Sequence, residues 1–241
     1  MRKARIVIAL LLIAMLCAFA IYNITIYMTR RSIENFTVRG VDLSSYQGDV
    51  DWNTLSSNGI DFAFIKATEG SFFKDRFFKK NIQSANETNL LTGAYHFMSF
   101  ESDGESQAKN FIDSVPCDSI DLPPVIDLEL YGSYNNNPPK ASVVKKILDS
   151  LITQMYVEYG RYPIIYTNRR AYSLYISGDY KNCDIWICDI IKTPTLPDGR
   201  DWTFWQYSHT EKLDGYEGEE EFIDMNVFNG SKRELLKYAE K

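Results

Sequence analysis

The alternation of short apolar segments with amphipathic ones between residues 39 and 227 constrains the fold more than any other feature of this sequence. Helix-like patterns separate the first five strand-like segments, which is typical of a parallel sheet covered by helices. About eight strands in roughly 200 residues predict a closed α/β barrel. The strand-like segments are residues 39–43, 62–67, 91–97, 125–130, 164–167, 185–190, 203–207 and 222–227.

Helices are predicted between the first five strands. Asp51 is placed to cap the first of them, because its carboxylate accepts hydrogen bonds from the free N–H groups of the first turn. In the longest, residues 142–159, an apolar residue recurs about every four positions, and Gly160 ends the pattern. The remaining helical segments are residues 51–55, 75–86 and 105–114. Only short polar loops separate the last three strands, so we expect the barrel to finish as plain strands within one domain.

The N-terminal segment is predicted to lie outside this domain. Residues 6–28 are almost entirely apolar, and as a helix these 23 residues span about 34 Å, enough to cross a bilayer. Basic residues precede the segment, so the positive-inside rule predicts an internal N-terminus and an external body. We expect an uncleaved signal anchor over residues 1–31, a linker over 32–37 and a catalytic domain over 38–241.

A cleaved signal peptide is the alternative for the N-terminal segment. Ala18-Phe19-Ala20 resembles a signal-peptidase site that follows a short apolar region. The apolar run continues past this site, which favours the anchor. Both interpretations place the body outside the membrane, either tethered to it or secreted.

The charge distribution makes general nucleic-acid binding by the body unfavourable. The formal net charge of the chain is −6, and residues 1–31 hold five basic side chains and no acidic one. The remaining residues therefore carry 21 basic and 32 acidic side chains, a net charge of −11. A body of this charge repels a phosphate backbone.

The cysteines of the body indicate neither a metal centre nor a disulfide framework. Cys117, Cys183 and Cys188 are odd in number and lack the C-x-x-C or Cys/His spacing of a zinc site. Cys183 and Cys188 flank a predicted strand, and we expect both to be thiols. A Cys117–Cys183 disulfide is an alternative that nothing in the spacing favours. No cofactor is predicted.

Two carboxylates lie on the segment Pro123-Pro124-Val125-Ile126-Asp127-Leu128-Glu129-Leu130, which is predicted to be a buried strand. Side chains alternate across a strand, so Asp127 and Glu129 are expected on the same face. Two like charges on a buried face are costly unless a site uses them. A lone pair of this kind is weak evidence, because the end of an ordinary strand also places acids in solvent.

Further polar and aromatic residues lie on the other predicted strands. In α/β barrels the active site lies at the carboxyl ends of the strands. The first strand carries Asp42 and the eighth carries Asp224. We expect these acids to converge on one mouth with Asp127 and Glu129. The accompanying aromatic, amide and imidazole residues are Tyr95, His96, Phe97, Tyr166, Trp186, Trp205, Gln206 and Tyr207.

Four converging carboxylates favour glycoside hydrolysis, in which one acid is protonated and its partner is ionised. A metal-dependent hydrolase with oxygen ligands is an alternative. The sequence has only two histidines and shows no dedicated zinc motif, phosphate-binding glycine loop or G-x-S-x-G turn. Leu128 and Leu130 flank Glu129, and an apolar surrounding with a like charge nearby raises the pKa of a carboxyl group.

Residues 38–232 resemble glycoside hydrolase family 25, the muramidases often called Chalaropsis-type lysozymes. The matching N-terminal residues are Asp42-Leu43, Gln47-Gly48, Gly59, Phe64-Ile65-Lys66-Ala67-Thr68-Glu69-Gly70, Phe73 and Asp75. The matching downstream residues are Gly93-Ala94-Tyr95-His96-Phe97, Asp127-Leu128-Glu129, Ile165-Tyr166-Thr167, Trp205-Gln206-Tyr207 and Asp224-Met225-Asn226. The sequence departs from the family at Cys188, where a small alanine is usual. A cysteine is nearly as small, so we expect no loss of function.

The resemblance implies hydrolysis of the β-1,4 bond between N-acetylmuramic acid and N-acetylglucosamine in peptidoglycan. It also implies a barrel of five β/α units closed by three further strands. Glu129 would be the general acid, and Asp127 would stabilise the developing charge directly or through the substrate's acetamido group. Asp42 and Asp224 would complete the acidic cluster. The expected sugar-binding residues are Tyr95, Tyr166, Trp186 and Gln206.

Two alternatives to muramidase activity remain at the level of sequence. The first is a cell-wall binding barrel that has lost turnover, although all four carboxylates are present. The second is hydrolysis of a related polymer such as chitin, but the chitinase barrels carry a longer D-x-x-D-x-D-x-E run that is absent before Asp127. The expected partners are peptidoglycan glycan strands and, through the N-terminal helix, a membrane. We expect the protein to be a monomer.

Overall fold

The computed structural model describes residues 2–240, with the side chains of residues 2–6, 9, 26 and 30 outside the description. The prediction of an internal N-terminus rests on Arg2, Lys3 and Arg5, whose side chains belong to this excluded group. Helix α1 covers Arg2–Ile33. Its segment Leu10–Ile33 is long and apolar enough to cross a membrane, and most of the apolar side chains along it are exposed, with Ile33 buried at its end.

Eight strands form the closed barrel that the sequence predicts. Strand β1 pairs with both β2 and β9, which closes the sheet, and β3 is a two-residue strand paired with the end of β2. Around the barrel the order is β1, β9, β8, β7, β6, β5, β4 and β2. The strands are β1 Arg39–Leu43, β2 Phe62–Glu69, β3 Phe73–Lys74, β4 Leu91–Phe97, β5 Val125–Leu128, β6 Ile164–Asn168, β7 Ile185–Cys188, β8 Phe204–Glu211 and β9 Ile223–Phe228.

The direction of β9 corrects one expectation. Apart from the short β3, which is antiparallel to β2, all neighbouring pairs from β1 through β8 are parallel, but β9 is antiparallel to both β8 and β1. A parallel connection requires a crossover of a dozen or more residues, usually a helix, whereas β8 returns directly into β9. Asp224 therefore reaches the mouth from the beginning of its strand, opposite Asp42 in register, and not from a carboxyl end.

The predicted helices are confirmed with small shifts of their ends. Asp51 accepts a hydrogen bond from Thr54 N at 3.1 Å, and Gly160 ends the longest helix with a φ of +68°. The helices of the body are α2 Trp52–Ser57, α3 Phe78–Ala85, α4 Gly104–Ile112, α5 Ala141–Tyr159, α6 Arg169–Ala171 and α7 Lys232–Ala239. The sequence analysis did not predict β3, α7, or α6 with the π-helical turn Tyr172–Ile176 that follows it.

The inside of the barrel is filled by aromatic rings at the end where the parallel strands begin. Phe62, Phe64 and Phe204 pack there with ring centroids 5.1–5.7 Å apart. Gly40 and Gly93 make room for these rings, because a Cβ atom would lie 2.3 Å from the Phe62 ring and 2.5 Å from the Phe64 ring, respectively. The outward side chains of the strands form a second apolar cluster beneath the helices.

The cysteines of the body are placed as thiols. Cys183 is buried, and burial raises its pKa to about 12. The alternative Cys117–Cys183 disulfide is not formed. The sulfur atom of Cys117 lies 3.5 Å from the carbonyl oxygen of Glu158 instead.

Candidate active site

A cavity of about 230 Å³ opens at the mouth of the barrel, above the aromatic layer. Seven of the eight residues predicted for the site line it, and the eighth, Gln206, lies against it and hydrogen-bonds to Asp42. The structure therefore brings the predicted residues together. The seven are Asp42, Tyr95, Asp127, Glu129, Tyr166, Trp186 and Asp224.

The phase of each strand explains this convergence. Residues two apart on a strand share a face. The residue two positions after a buried residue of the aromatic layer therefore also points inward, and it reaches the mouth. Asp127 follows Val125 and Gln206 follows Phe204 in this way, and Asp42 follows Gly40, which lies against the Phe62 ring. Neighbouring strands then align the side chains, with Asp127 opposite Tyr166 and Tyr166 opposite Trp186.

Asp42 and Asp224 form a hydrogen-bonded pair deep in the site. Burial raises the pKa of Asp42 to about 6, although hydrogen bonds from Asn226 and Gln206 oppose the rise. Burial and the charge of Asp42 raise the pKa of Asp224 to about 9. Near neutral pH the pair therefore holds one proton, on Asp224, and one negative charge, on Asp42.

Two amide side chains donate hydrogen bonds to this pair of aspartates, and two aromatic residues orient the amides. Gln206 Nε2 donates to Asp42 Oδ1 at 2.9 Å and to Asp224 Oδ2 at 3.2 Å. Asn226 Nδ2 donates to Asp42 Oδ1 at 2.7 Å. Tyr166 donates its hydroxyl proton to Gln206 Oε1 at 2.9 Å, which fixes the orientation of that amide.

Trp186 orients the second amide in the same way, because its indole Nε1 donates to Asn226 Oδ1 at 2.7 Å. Its ring stacks on Phe64 with centroids 4.6 Å apart, and the side chain is only 1% exposed. Trp186 therefore forms the floor of the cavity and offers a sugar little surface.

Asp127 is 6% exposed and carries a buried oxygen, Oδ1, without a hydrogen-bond partner in the described part of the chain. Burial raises the pKa of its carboxyl group well above the usual value, Glu129 adds to this, and Lys66 opposes it. An unpartnered acceptor in a buried position is costly. It is available to a donor on a bound molecule.

Glu129 follows the last residue of β5 and lies closer to solvent than Asp127. Burial raises the pKa of its carboxyl group, while a hydrogen bond from Asn168 lowers it. Asn168 Nδ2 donates to Glu129 Oε1 at 3.0 Å. Asn168 Oδ1 accepts from the backbone N–H groups of Arg170 and Ala171, both at 3.1 Å, and so caps α6.

The sequence analysis missed several residues of the site. Asn168 lies two residues after Tyr166, and Lys66 lies two residues after Phe64. Because residues two apart share a face of a strand, the alternation of side chains could have identified both. Lys66 Nζ lies 2.7 Å from Glu69 Oε2 and 5.0 Å from the centroid of Phe97. Tyr46, Gln47 and Glu220 come from rim loops.

Three residues expected at the mouth face outward instead. His96 lies between Thr68 Oγ1, at 2.7 Å from Nδ1, and Gln107 Oε1, at 3.1 Å from Nε2. Burial lowers its pKa to about 4. Trp205, next to the inward Gln206, donates from Nε1 to the Asp189 carbonyl oxygen at 2.8 Å, and the Tyr207 ring packs against Trp205 on the same side. Adjacent strand residues cannot all face one mouth, which explains the error.

Comparison with known proteins gives a family match over most of the body. The family described as glycosyl hydrolases family 25 matches residues 41–216. An uncharacterized protein of Escherichia coli K12, YegX, is 33% identical over 211 residues, which cover 86% of this chain and 75% of YegX. Lysozyme M1 of Streptomyces globisporus is 33% identical over 218 residues, which cover 84% of this chain and 71% of that protein.

Solved structures share the barrel. A family 25 glycosyl hydrolase from Bacillus anthracis superposes with a TM-score of 0.81 at 48% identity, over 86% of this chain and 95% of that one. A bacterial lysozyme from Streptomyces coelicolor superposes with a TM-score of 0.76 at 32% identity, over 84% of this chain and 96% of that one. These matches confirm the fold class.

Proposed function

The chain belongs to glycosyl hydrolase family 25, and on this premise we propose that it is a muramidase. Its substrate is the β-1,4 bond between N-acetylmuramic acid and N-acetylglucosamine in peptidoglycan. The observation that carries the proposal is the convergence of Asp42, Asp127, Glu129 and Asp224 on one cavity. Relatives with the names lysozyme M1 and N,O-diacetylmuramidase support the choice of polymer.

Glu129 is the general acid of the proposed mechanism. It lies closer to solvent than Asp127, and burial raises the pKa of its carboxyl group, which favours the protonated form that a general acid needs. In the reaction that proton passes to the glycosidic oxygen as the bond to the anomeric carbon breaks. Asn168 directs the carboxyl group through its contact with Oε1.

Asp127 is the partner carboxylate. Its unpartnered Oδ1 supports two roles, direct stabilisation of positive charge at the anomeric carbon or acceptance of a hydrogen bond from the substrate's acetamido N–H. Burial and the charge of Glu129 raise the pKa of Asp127, and Lys66 opposes this rise by favouring the ionised form that the role requires. Asp42 adds a buried negative charge beneath the same cavity.

We also propose the domain organisation predicted from the sequence. Residues 1–31 form an anchor or signal segment, 32–37 a linker and 38–241 the catalytic domain, with Met1 and Lys241 outside the described residues. The apolar helix α1 supports membrane attachment, and a substrate in the cell wall places the catalytic domain outside the cell. Catabolism or remodelling of the bacterial wall is the biological role that fits a tethered muramidase.

The substitution Glu129→Gln tests the proposal. We expect it to abolish the release of new reducing ends from purified peptidoglycan and to leave the circular dichroism spectrum unchanged, because the amide keeps the shape but has no acidic proton. Mass spectrometry of fragments from the unaltered protein identifies the bond that is cleaved. Glu87→Gln is the matched control, since Glu87 is exposed at the far end of the barrel. Full activity of Glu129→Gln contradicts the assignment.

The same assay separates the alternative functions. A wall-binding barrel without turnover retains peptidoglycan in a sedimentation assay but releases no reducing ends. A chitin hydrolase releases them from chitin oligomers in preference to peptidoglycan. A metal-dependent hydrolase loses activity with a chelator, whereas carboxylate catalysis does not.

A further inference from the structure

The last turns of α1 are docked onto the mouth side of the barrel. Thr29 Oγ1 donates to the carbonyl oxygen of Ile191 at 2.7 Å, and the hydroxyl groups of Ser32 and Thr193 lie 2.8 Å apart. Thr29 and Ile33 are buried in this contact. Residues 190–193 follow the carboxyl end of β7 directly, so the helix meets the body at the rim of the candidate active site.

The segments before and after this contact extend toward opposite ends of the barrel. After Ile33 it descends toward the far end, where the Phe36 ring packs 5.4 Å from the ring of Trp202, just before β8 begins. Before the contact, Tyr22 and the end of β8, residues 207–211, line a common cavity. Tyr22 is about 16 Å along the helix from Ile33. The N-terminal part of α1 therefore projects beyond the mouth.

The rim of the barrel carries exposed apolar side chains from the α1 contact around to the opposite side. Phe72, in the turn between β2 and β3, is 85% exposed, and Ile191, after β7, is 51% exposed. We call this set the apolar arc, since it follows β7, β8, β9, β1 and β2, which are consecutive around the barrel. Its members are Ile190, Ile191, Phe222, Tyr46, Phe72 and Phe73.

Acidic side chains lie in the same part of the rim, between β8 and β9. Glu219 pairs with Arg76 at 2.8 Å, and Glu221 pairs with Lys212. Glu220 accepts a hydrogen bond from Gln47. These three glutamates with Arg76 and Lys212 give this part of the rim no excess of positive charge for anionic headgroups, so we expect a lipid contact here to be apolar.

We propose that α1 spans the membrane and holds the barrel with its mouth toward the bilayer, with the apolar arc against the lipid interface. Residues 6–22 then cross the hydrocarbon core, since 17 residues span about 26 Å, at the short end of the length a membrane helix needs. Tyr22 lies at the interface, where its amphipathic ring is favoured, and residues 29–33 keep the body at the surface. The substrate follows from this orientation and rests on the proposed function: the enzyme cleaves the glycan strands that lie beside the membrane.

Depth-dependent fluorescence quenching tests the orientation without relying on activity. The full chain, with Cys17, Cys117 and Cys188 replaced by serine, receives one labelled cysteine at Ile191, Phe72 or Asn89. Asn89 is exposed and precedes β4, at the end of the barrel away from the mouth. In zwitterionic phosphatidylcholine vesicles with brominated acyl chains, we expect the label to lose fluorescence at Ile191 and Phe72 and to keep it at Asn89.

Removing the docking contacts provides the second arm. Thr29→Val with Ser32→Ala deletes both hydrogen bonds to the rim, and we expect the quenching at Phe72 to decrease. Thr25→Val is the matched control, because Thr25 Oγ1 bonds only to Ile21 O within the helix. Equal quenching at Phe72 and Asn89, stronger quenching at Asn89, or failure of the chain to float with vesicles overturns the proposal. None of these results depends on whether the protein is a muramidase.

Discussion

The carboxyl group of Glu129 is oriented by an amide that cannot rotate freely. Asn168 uses Oδ1 to cap α6, so its Nδ2 must face Glu129 Oε1. One side chain thereby couples the end of β6, the start of α6 and the proposed general acid. Because the amide donates a hydrogen bond, it favours the ionised form of Glu129 and opposes the rise of pKa that burial causes.

Substitution of Asn168 should therefore change the pH dependence of catalysis. Removal of the donor in Asn168→Ala raises the pKa of Glu129, so we expect a lower kcat and an alkaline limb of kcat shifted to higher pH. Asn168→Asp should shift the limb in the same direction through a like charge. Only the alanine variant loses the helix cap, which costs about 1 kcal/mol of unfolding free energy. Unchanged limbs in both variants would mean that Asn168 has only a structural role.

Removal of the Tyr166 hydroxyl group distinguishes a role in orienting Gln206 from a role in binding the sugar. In Tyr166→Phe the ring remains, but the hydrogen bond to Gln206 Oε1 is lost. The Gln206 amide, which donates to Asp42, can then rotate by half a turn. We expect kcat to fall while KM stays nearly constant, with a loss of stability of about 1 kcal/mol. A rise in KM at constant kcat would instead show that the hydroxyl binds the sugar.

At the scale of elements, the strands could be predicted because each is a short apolar run bounded by polar turns. The direction of β9 was not predicted, although the absence of a helical pattern between residues 211 and 222 is the signal for an antiparallel return. The π-helical turn Tyr172–Ile176 has no periodicity that distinguishes it from a loop.

The alternation of side chains along each strand determines which predicted residues the structure places at the mouth and which it does not. Residues two apart, such as Asp127 and Glu129, were correctly placed on one face. His96 and Trp205 were assigned to the mouth together with their immediate neighbours, which alternation forbids. The hydrogen bonds that give each acid its environment, such as that from Asn226 to Asp42, join strands distant in sequence and required the structure.

Close packing of α4 on α5 provides a prediction about these elements. A Cβ atom on Gly104 would lie 2.3 Å from the carbonyl oxygen of Ile147, and a backbone atom cannot move aside as a flexible side chain can. We expect Gly104→Ala to lower the free energy of unfolding by about 1–3 kcal/mol, as overpacking does. Glu105→Ala, an exposed neighbour in the same turn, is the control for urea denaturation. Equal stability of the two variants would show that the helices separate without cost.

At the scale of the whole molecule, the buried acids make stability depend on pH. Asp42 and Asp224 have folded pKa values of about 6 and about 9, above their ordinary value of 3.8. Between pH 3.8 and about 9 the folded state binds more protons than the unfolded state, so the free energy of unfolding falls as pH rises through this range. The contribution of the two acids to stability is therefore complete below pH 3.8 and is lost as pH rises toward 9. His96, whose pKa falls from 6.5 to about 4, acts oppositely, and its contribution is lost as pH falls through that range.

Asp224→Asn tests this balance between stability and function. The amide oxygen can still accept from Gln206, but the buried proton no longer has to be released as pH rises, so we expect a higher melting temperature than the unaltered protein at pH 8–9 and little difference at pH 5. The same variant should lose lytic activity, because an acidic member of the cavity is gone. Asp201→Asn, at an exposed position, is the control for thermal melts at each pH. A melting temperature of Asp224→Asn that follows that of the unaltered protein at every pH would show that burial of Asp224 carries no cost, and the proton held by the pair would then have to be assigned elsewhere.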